Sequence, residues 1–415
     1  MEKLIIEGGT PLTGTISVNG AKNSVLPLMA ATMLAPGTHR FTNVPRLRDV
    51  ATMQRLLAHL GITSQLEGRT LTLTTNGLQS HDAPYDLVKT MRASVLVLGP
   101  LLARWGKARV SLPGGCAIGA RPIDLHLDGL KQLGAQIEIK EGYVDATANR
   151  LQGAHITFNI VTVTGTENLM MAASLAHGTT ILKNAAREPE VPDLANYLNK
   201  MGAKINGAGT DTITIEGVAK LKPSEHAVIA DRIEAATFLM AGVITGGEIC
   251  VENCPPQFLE ILLDRLKEAG CKINTQGSKI SLAAPSRLKS VNITTAPFPG
   301  FATDLQAQFM ALMSIANGTS VISETIFENR FQHALELKRL GADITLDGRT
   351  AIVKGVEKLS SAPLMATDLR ASASLILAGL AAQGTTTVDR VYHVDRGYER
   401  IEEKLKQLGA KIQRI

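Results

Sequence analysis

A glycine that ends a helix-like stretch recurs six times along this chain, and no other feature narrows its possible folds as far. It lies in Leu60-Gly61-Ile62, Leu133-Gly134-Ala135, Met201-Gly202-Ala203, Ala269-Gly270-Cys271, Leu340-Gly341-Ala342 and Leu408-Gly409-Ala410, with successive glycines 73, 68, 68, 71 and 68 residues apart. A second series, Gly37, Gly106, Gly178, Gly247, Gly318 and Gly384, interleaves with the first at spacings of 69, 72, 69, 71 and 66. Each of these follows an apolar helix-like run and precedes β-rich residues, as at 179–182 and 385–388. A residue just past a helix end favours a left-handed backbone that a side chain resists, which suits glycine. Each unit therefore reads helix, turn, strand, second helix, turn, then strand or hairpin, and the chain is an α/β protein of six such units.

The sixth unit is short, because the chain stops at Ile415 soon after Gly409. Other units continue into a further strand, Ile213-Thr214-Ile215-Glu216-Gly217 in the third and Ala351-Ile352-Val353-Lys354-Gly355 in the fifth. Leu4-Ile5-Ile6-Glu7-Gly8 matches both, so the first 21 residues are expected to complete the last unit. This predicts a discontinuous domain of residues 1–21 plus 230–415 and an inserted domain of 22–229 carrying the Cys116 loop, with three units in each. A length of 415 residues fits two or three domains. The competing architecture is a linear solenoid of six stacked units; the terminal match favours closure.

Composition excludes several classes of function. With 45% hydrophobic and 20% charged residues the chain is globular rather than disordered. Its net charge of +5 is spread along the sequence without basic runs or interleaved aromatics, which suits small anionic ligands better than nucleic acid. The N-terminus lacks a secretory layout, and no run of about 18 uncharged apolar residues occurs, so a cytoplasmic protein is expected. Of the four cysteines, Cys250 and Cys254 read as reduced, semi-buried thiols, and the spacings match no zinc knuckle.

Stepping back about one helix length from each glycine of the second series reaches the predicted start of a helix. The six starts hold Lys22-Asn23-Ser24, Thr90-Met91-Arg92, Thr164-Gly165-Thr166, Asp231-Arg232, Asp304-Leu305 and Asp368-Leu369-Arg370. Helix N-termini carry unpaired N–H groups and the positive end of the dipole, so two facing triads of them would form a cleft for anions. Lys22, Arg92 and Arg370 would add full charges. Asp231, Asp304 and Asp368 occupy matching positions, where a helix cap and a functional acid are equally good readings.

The most distinctive local string is Pro113-Gly114-Gly115-Cys116-Ala117-Ile118-Gly119-Ala120-Arg121-Pro122. Three glycines around a thiol make a loop that can expose Cys116, and Arg121 would favour its thiolate or bind a phosphate. Without context, a lone cysteine in such a loop is more often incidental than catalytic.

The context is a resemblance that spans essentially the whole chain. It rests on Asn19-Gly20-Ala21-Lys22-Asn23, Tyr85-Asp86-Leu87-Val88-Lys89-Thr90-Met91-Arg92-Ala93-Ser94, the Cys116 loop and Asn184-Ala185-Ala186-Arg187-Glu188-Pro189-Glu190. It continues through Thr303-Asp304-Leu305-Gln306-Ala307-Gln308, Phe327-Glu328-Asn329-Arg330-Phe331, Ala366-Thr367-Asp368-Leu369-Arg370-Ala371-Ser372 and Asp395-Arg396-Gly397-Tyr398-Glu399-Arg400. These strings, in this order, resemble the UDP-N-acetylglucosamine enolpyruvyl transferases. The resemblance implies two domains, each an inside-out α/β barrel of three βαβαββ units, with the active site between them. It also implies transfer of the enolpyruvyl group of phosphoenolpyruvate to the 3-hydroxyl of UDP-N-acetylglucosamine, without metal or organic cofactor.

Roles implied by the resemblance agree with residue chemistry. Lys22, Arg121 and Arg396 would hold the phosphate and carboxylate of phosphoenolpyruvate, with Arg92 and Arg370 completing the cationic site. Cys116 resembles the general acid that protonates the methylene carbon and can form a phospholactoyl adduct. Asp304 resembles the group that takes the proton of the sugar hydroxyl, and capping the helix is compatible with that; Asn23 would steady the tetrahedral intermediate. For the nucleotide sugar the pattern points to Arg92, Arg121, Pro122, Ile123, Asp124, Leu125, Thr162 and Val163, with Ile326 and Asp304 near the sugar. Ile160 stands where many relatives have lysine, so diphosphate contacts there would fall to backbone N–H groups or Thr162. Arg48 stands where the family often has lysine, which keeps the charge. His126 and Glu328 read as hydrogen-bonded structural residues before assisting ones.

Closure on the nucleotide sugar, with the Cys116 loop as a lid, is expected, and a monomer is the expected state. The nearest rival is the shikimate-pathway enolpyruvyl transferase, which lacks the Pro-Gly-Gly-Cys loop. A non-catalytic sensor of UDP-N-acetylglucosamine would be expected to lose Cys116, Asp304 or Lys22, all present here. An anion-binding repeat scaffold is the remaining alternative.

Overall fold

The computed structural model describes residues 2–112 and 123–415. They divide into two compact units, one holding the residues up to Asn19 with Ala230–Ile415, the other those from Gly20 to Ile229. Each unit contains three four-stranded sheets, and every sheet follows one scheme. A short opening strand pairs in parallel with the strand after the first helix, and a hairpin then joins antiparallel, as where Ile293–Thr294 meets Thr319–Ser323 and then Thr350–Lys354 and Asp343–Asp347. The three sheets of a unit remain separate rather than closing into one hydrogen-bonded barrel.

The arrangement is inside-out because of the composition of the first helix in each repeat. Helices Arg232–Ile244, Gln306–Met313 and Leu369–Ala381 are apolar on nearly every side, buried along almost their whole length, and packed on one another. Lys22–Ala31, Leu98–Trp105 and Val163–Ala173 are their counterparts in the other unit. The second helices are amphipathic. Arg48–His59, for example, turns Val50, Met53, Leu56 and Leu57 inward and leaves the rest of its surface polar. Strands alternate in the same sense, as in Thr70–Thr75, where Leu71 and Leu73 are buried.

All six glycines of the first series have positive φ, from +89° to +104°. Five of the second series do as well; in the fourth repeat the left-handed residue is Gly246, with φ +69°, while Gly247 has ordinary backbone. Gly247 is glycine for another reason, since a Cβ there would lie 2.0 Å from the carbonyl oxygen of Leu12. A similar constraint explains the matched strings that end in Gly8, Gly217 and Gly355. Their N–H groups donate to the carbonyls of Gly384, Gly178 and Gly318 at 3.1, 2.9 and 3.0 Å, so close that a Cβ would collide with the Ala382, Ala176 or Ala316 carbonyl.

The strand Leu4–Glu7 lies between Thr385–Asp389 and Lys411–Arg414, pairing Leu4 with Val388 on one side and Arg414 on the other. It completes the sixth sheet. The next strand departs from the expectation that all of the first 21 residues serve that unit, because Thr13–Ser17 runs parallel to Glu248–Glu252 and opens the fourth sheet. In the other unit Glu225–Ala227 opens the first sheet beside Gly37–Thr42. A parallel β-α-β pairing needs an opening strand, and these two repeats take theirs from distant sequence.

Three histidines are buried neutral within these cores. Tyr197 Oη lies 2.5 Å from His39 Nδ1 while His39 Nε2 faces the Ala35 carbonyl at 3.2 Å, so the ring accepts from the phenol and donates to the carbonyl. Burial pushes His39, His126 and His333 down to about 4 from the usual 6.5. Below pH 6.5 the unfolded chain takes up protons that the folded chain refuses. Thermal melts are therefore expected to show stability falling steadily as pH drops from about 6.5 to about 4, and His126→Gln should flatten part of that slope. A melting temperature unchanged over this interval would contradict the assignment.

Candidate active site

In the unit holding Ala230–Ile415, two of the predicted site residues meet. Asp304 sits in the 3-10 turn Thr303–Leu305 that precedes helix Gln306–Met313. Its Oδ2 accepts from Arg370 Nε at 3.1 Å, with Arg370 Nη2 3.0 Å away, and its Oδ1 accepts from Arg330 Nη2 at 2.7 Å. Asp304 lies inside the turn, whose N-cap is Ala302, and the helix that follows has Leu305 at its N-cap. Asp231 and Asp368 do cap, accepting from Ile233 and Glu234 N–H at 2.9 and 3.0 Å and from Arg370 and Ala371 N–H at 2.8 and 2.9 Å. Asp304 is turned to two buried guanidinium groups, each of which needs a counter-charge.

Arg370 is 2% exposed. Burial opposes its charge, but Asp304, followed by Tyr398 and Asp231, outweighs burial and holds its pKa above the ordinary arginine value. The Tyr398 ring lies 5.4 Å from the guanidinium, and Tyr398 Oη meets Thr237 Oγ1 at 2.9 Å. Arg330 is set in turn by Thr303, whose hydroxyl accepts from Arg330 Nη1 at 3.0 Å and donates to Glu324 Oε2 at 2.8 Å. Glu324 Oε1 accepts from Thr295 Oγ1 and from the N–H groups of Ile326 and Phe327 at 2.9, 2.8 and 3.1 Å. One buried carboxylate thus fixes both the turn before Asp304 and the backbone of Ile326. Arg396 is half-buried at the end of the 3-10 helix Val391–Arg396. Glu328 is exposed and lies 4.0 Å from Arg349.

In the other unit Lys22 opens helix Lys22–Ala31, and its buried Nζ lies 3.3 Å from Asp49 Oδ2. Asn23 is half-buried in the same turn, and Arg48 is exposed beside Asp49. Of the predicted nucleotide-sugar residues, Ile123, Asp124, Leu125, Thr162 and Val163 lie on the two helix starts that His126 joins. Ile123, Asp124 and Leu125 lie at the start of helix Asp124–Gln132, where His126 N–H donates to the Ile123 carbonyl at 2.9 Å. Thr162 caps helix Val163–Ala173 by accepting from Gly165 N–H at 3.2 Å. His126 Nε2 is 3.2 Å from Thr164 Oγ1, and its Nδ1 is 3.0 Å from Asn168 Nδ2. Asn168 Oδ1 accepts from Gly99 N–H at 2.8 Å, so its amide nitrogen is the donor to Nδ1. His126 therefore carries its proton on Nε2 and gives it to Thr164. Burial first, then the charge of Arg92, keeps the ring neutral. Ile160, 70% exposed, brings no charge to this region.

Cys116, Arg121 and Pro122 lie outside the described residues. The other three cysteines are free thiols, and burial pushes Cys254 and Cys271 up to about 12, which makes them poor nucleophiles. Sequence reasoning gave no role to Asp49, Glu324, Arg330 or Tyr398. Arg330 and Tyr398 did fall inside recognised strings, which was the available signal. Glu167 was also missed; burial, then Glu190 and Glu188, raises its carboxyl well above the usual range. Among the described residues no cluster of His, Cys, Asp or Glu could hold a metal ion.

A family model described as EPSP synthase (3-phosphoshikimate 1-carboxyvinyltransferase) matches residues 6–405. A relative in Myxococcus xanthus named UDP-N-acetylglucosamine 1-carboxyvinyltransferase is 61% identical over 417 aligned positions, covering 100% of this chain and 99% of its own. One of the same name in Geobacter metallireducens is 60% identical, with both chains fully covered. Among solved structures, the enolpyruvyl transferase NikO from Streptomyces tendae has a TM-score of 0.89 at 28% identity, covering 100% of this chain and 98% of NikO. EPSP synthase from Acinetobacter baumannii, with a TM-score of 0.75 at 19% identity and both chains fully covered, shares the fold. With its enolpyruvyl transferase fold and its full-length identity to these relatives, the chain belongs to the UDP-N-acetylglucosamine 1-carboxyvinyltransferase family.

Proposed function

We infer that this chain transfers the enolpyruvyl group of phosphoenolpyruvate to the 3-hydroxyl of UDP-N-acetylglucosamine and releases phosphate, the first committed step of peptidoglycan synthesis. The observation that carries this reading is end-to-end relatedness, at about three residues in five, to enzymes bearing that name. The geometry supports a division of labour among the residues.

The Cys116 thiol protonates the methylene carbon, leaving a cation-like carbon that bears the phosphate. The sugar 3-hydroxyl oxygen bonds to that carbon while Asp304 accepts its proton. The Cys116 thiolate then takes back a methyl proton, restoring the thiol, as the double bond re-forms and the carbon–oxygen bond to phosphate breaks. Asp304 is suited to the middle step because an ionised carboxylate is a hydrogen-bond acceptor, and Arg370 and Arg330 fix its direction. Lys22, Arg121 and Arg396 bind the phosphate and carboxylate of phosphoenolpyruvate, assisted by Arg92 and Arg370. Asn23, one residue from Lys22, steadies the tetrahedral intermediate. Arg92, Arg121, Pro122, Ile123, Asp124, Leu125, Thr162 and Val163 hold the nucleotide, with Ile326 and Asp304 at the sugar. Cations fixed in advance around a reacting centre dense in negative charge supply the main catalytic effect.

The reading also places the protein in the cytoplasm as a monomer, where both phosphorylated substrates are made. Among the described residues, no helix is long and apolar enough to cross a membrane.

Two experiments test the reading. Phosphate release from phosphoenolpyruvate is expected with UDP-N-acetylglucosamine as acceptor and to be absent with shikimate 3-phosphate; the reverse preference would refute it. Fosfomycin, an epoxide, is expected to alkylate Cys116 alone. Intact-protein and peptide mass spectrometry should detect one adduct, lost in Cys116→Ser, whereas labelling at Cys250, Cys254 or Cys271 would argue against the role of Cys116.

A further inference from the structure

Arg396 ends the 3-10 helix Val391–Arg396, in the segment between strand Thr385–Asp389 and helix Ile401–Gln407. Two non-glycine residues in left-handed backbone bound it, Arg390 with φ +60° and Arg400 with φ +44°. Val391 and Val394 of the 3-10 helix are buried, and side chains beyond them fix the end that carries Arg396. On one flank the buried Tyr398 bonds Thr237 Oγ1 at 2.9 Å and accepts from Gln308 Nε2 at 3.3 Å, tying the segment to the helices behind Asp304. Glu399 beyond it accepts from Asn19 Nδ2 at 3.0 Å.

The other flank is held from the last strand. Arg414 Nη2 and Nη1 donate to Asp395 Oδ1 and Oδ2 at 2.7 and 3.0 Å, a two-pronged ion pair on the residue that precedes Arg396. The same guanidinium donates through Nε and Nη2 to Glu402 Oε1 and Oε2, both at 3.0 Å, and through Nη1 to Glu2 at 3.2 Å. Glu402 is fully buried, so Arg414 is itself fixed from behind. Its strand is registered on Leu4–Glu7, with Leu4 opposite Arg414. A planar fork gripping two carboxylates at once constrains direction as well as distance, which a lysine could not do.

We propose that Arg414 is a positioning residue for phosphoenolpyruvate binding: by clamping Asp395 against the fixed Glu402 it sets the direction in which Arg396 presents its guanidinium. The proposal rests on the reading of Arg396 as a phosphoenolpyruvate ligand. Tyr398 and Asp395 bracket Arg396, so release of Asp395 frees one side of the bracket and leaves the other intact. Misplacement of a binding group by about 1 Å is enough to cost an order of magnitude or more in rate.

The test is steady-state kinetics on the full chain with each substrate varied, alongside thermal melts. Asp395→Asn keeps the Arg414–Glu402 pair and so preserves folding. It is expected to raise KM for phosphoenolpyruvate about tenfold while KM for UDP-N-acetylglucosamine stays within about twofold. Arg414→Lys should act in the same direction. The double variant should be no worse than the stronger single one, because both remove one clamp. Arg396→Ala is the reference. If it raises KM for phosphoenolpyruvate while Asp395→Asn and Arg414→Lys leave it unchanged, the clamp is only structural and the proposal is overturned. If Arg396→Ala leaves KM for phosphoenolpyruvate unchanged, the role of Arg396 falls, and the positioning role with it.

Discussion

A buried guanidinium requires a counter-charge, and in this protein that requirement fixes the candidate site. Arg370 lies inside a core made of apolar helices, where an unpaired cation would cost several kcal/mol. Asp304 supplies the anion, and the exchange is mutual, because the same contact fixes the direction of the Asp304 carboxylate. Arg330 completes the grip from a loop that Glu324 and Thr303 hold in place. Three segments far apart in sequence thus converge on one carboxylate. The result is a carboxylate whose position is set before any substrate arrives, the condition under which electrostatic catalysis is strongest.

The other unit uses the same economy with different chemistry. Lys22 opens a helix and is paired with Asp49, so its ammonium is oriented by a partner rather than left to sweep through solvent. His126 works as a neutral connector. Its proton lies on Nε2 because Asn168 occupies Nδ1, and through Thr164 it links the start of helix Asp124–Gln132 to that of Val163–Ala173. Ionising that ring would break the connection and bring a second cation toward Arg92. Neutrality of the histidine and accumulation of fixed cations are therefore parts of one arrangement.

Periodicity made most of the fold legible. Helix-ending glycines are a steric necessity, and the first series can be read without any three-dimensional information. The match of residues 4–8 to two later strings was equally physical, since Gly8, Gly217 and Gly355 each meet a helix-end carbonyl too closely for a side chain. What could not be read was the origin of the opening strands of the first and fourth sheets. Glu225–Ala227 and Thr13–Ser17 are short, and the one glycine in them, Gly14, belongs to neither helix-ending series. The shift from Gly247 to Gly246 was hidden because two adjacent glycines satisfy the same pattern. Within the candidate site, Asp304 stood out by its place at a helix start, but Asp231 and Asp368 stood out equally. Only tertiary proximity to Arg330 and Arg370, 26 and 66 residues further along, separates a gripped carboxylate from a cap.

The central claim is that the carboxylate gripped by Arg370 and Arg330 accepts the proton in the reaction. Its most direct test is the turnover of Asp304→Asn at saturating phosphoenolpyruvate and UDP-N-acetylglucosamine, with binding of the nucleotide sugar measured separately by calorimetry. A general base contributes roughly 10²- to 10⁴-fold, so kcat should fall within that range while the nucleotide sugar still binds. A variant that turns over within a few-fold of the parent would contradict the account.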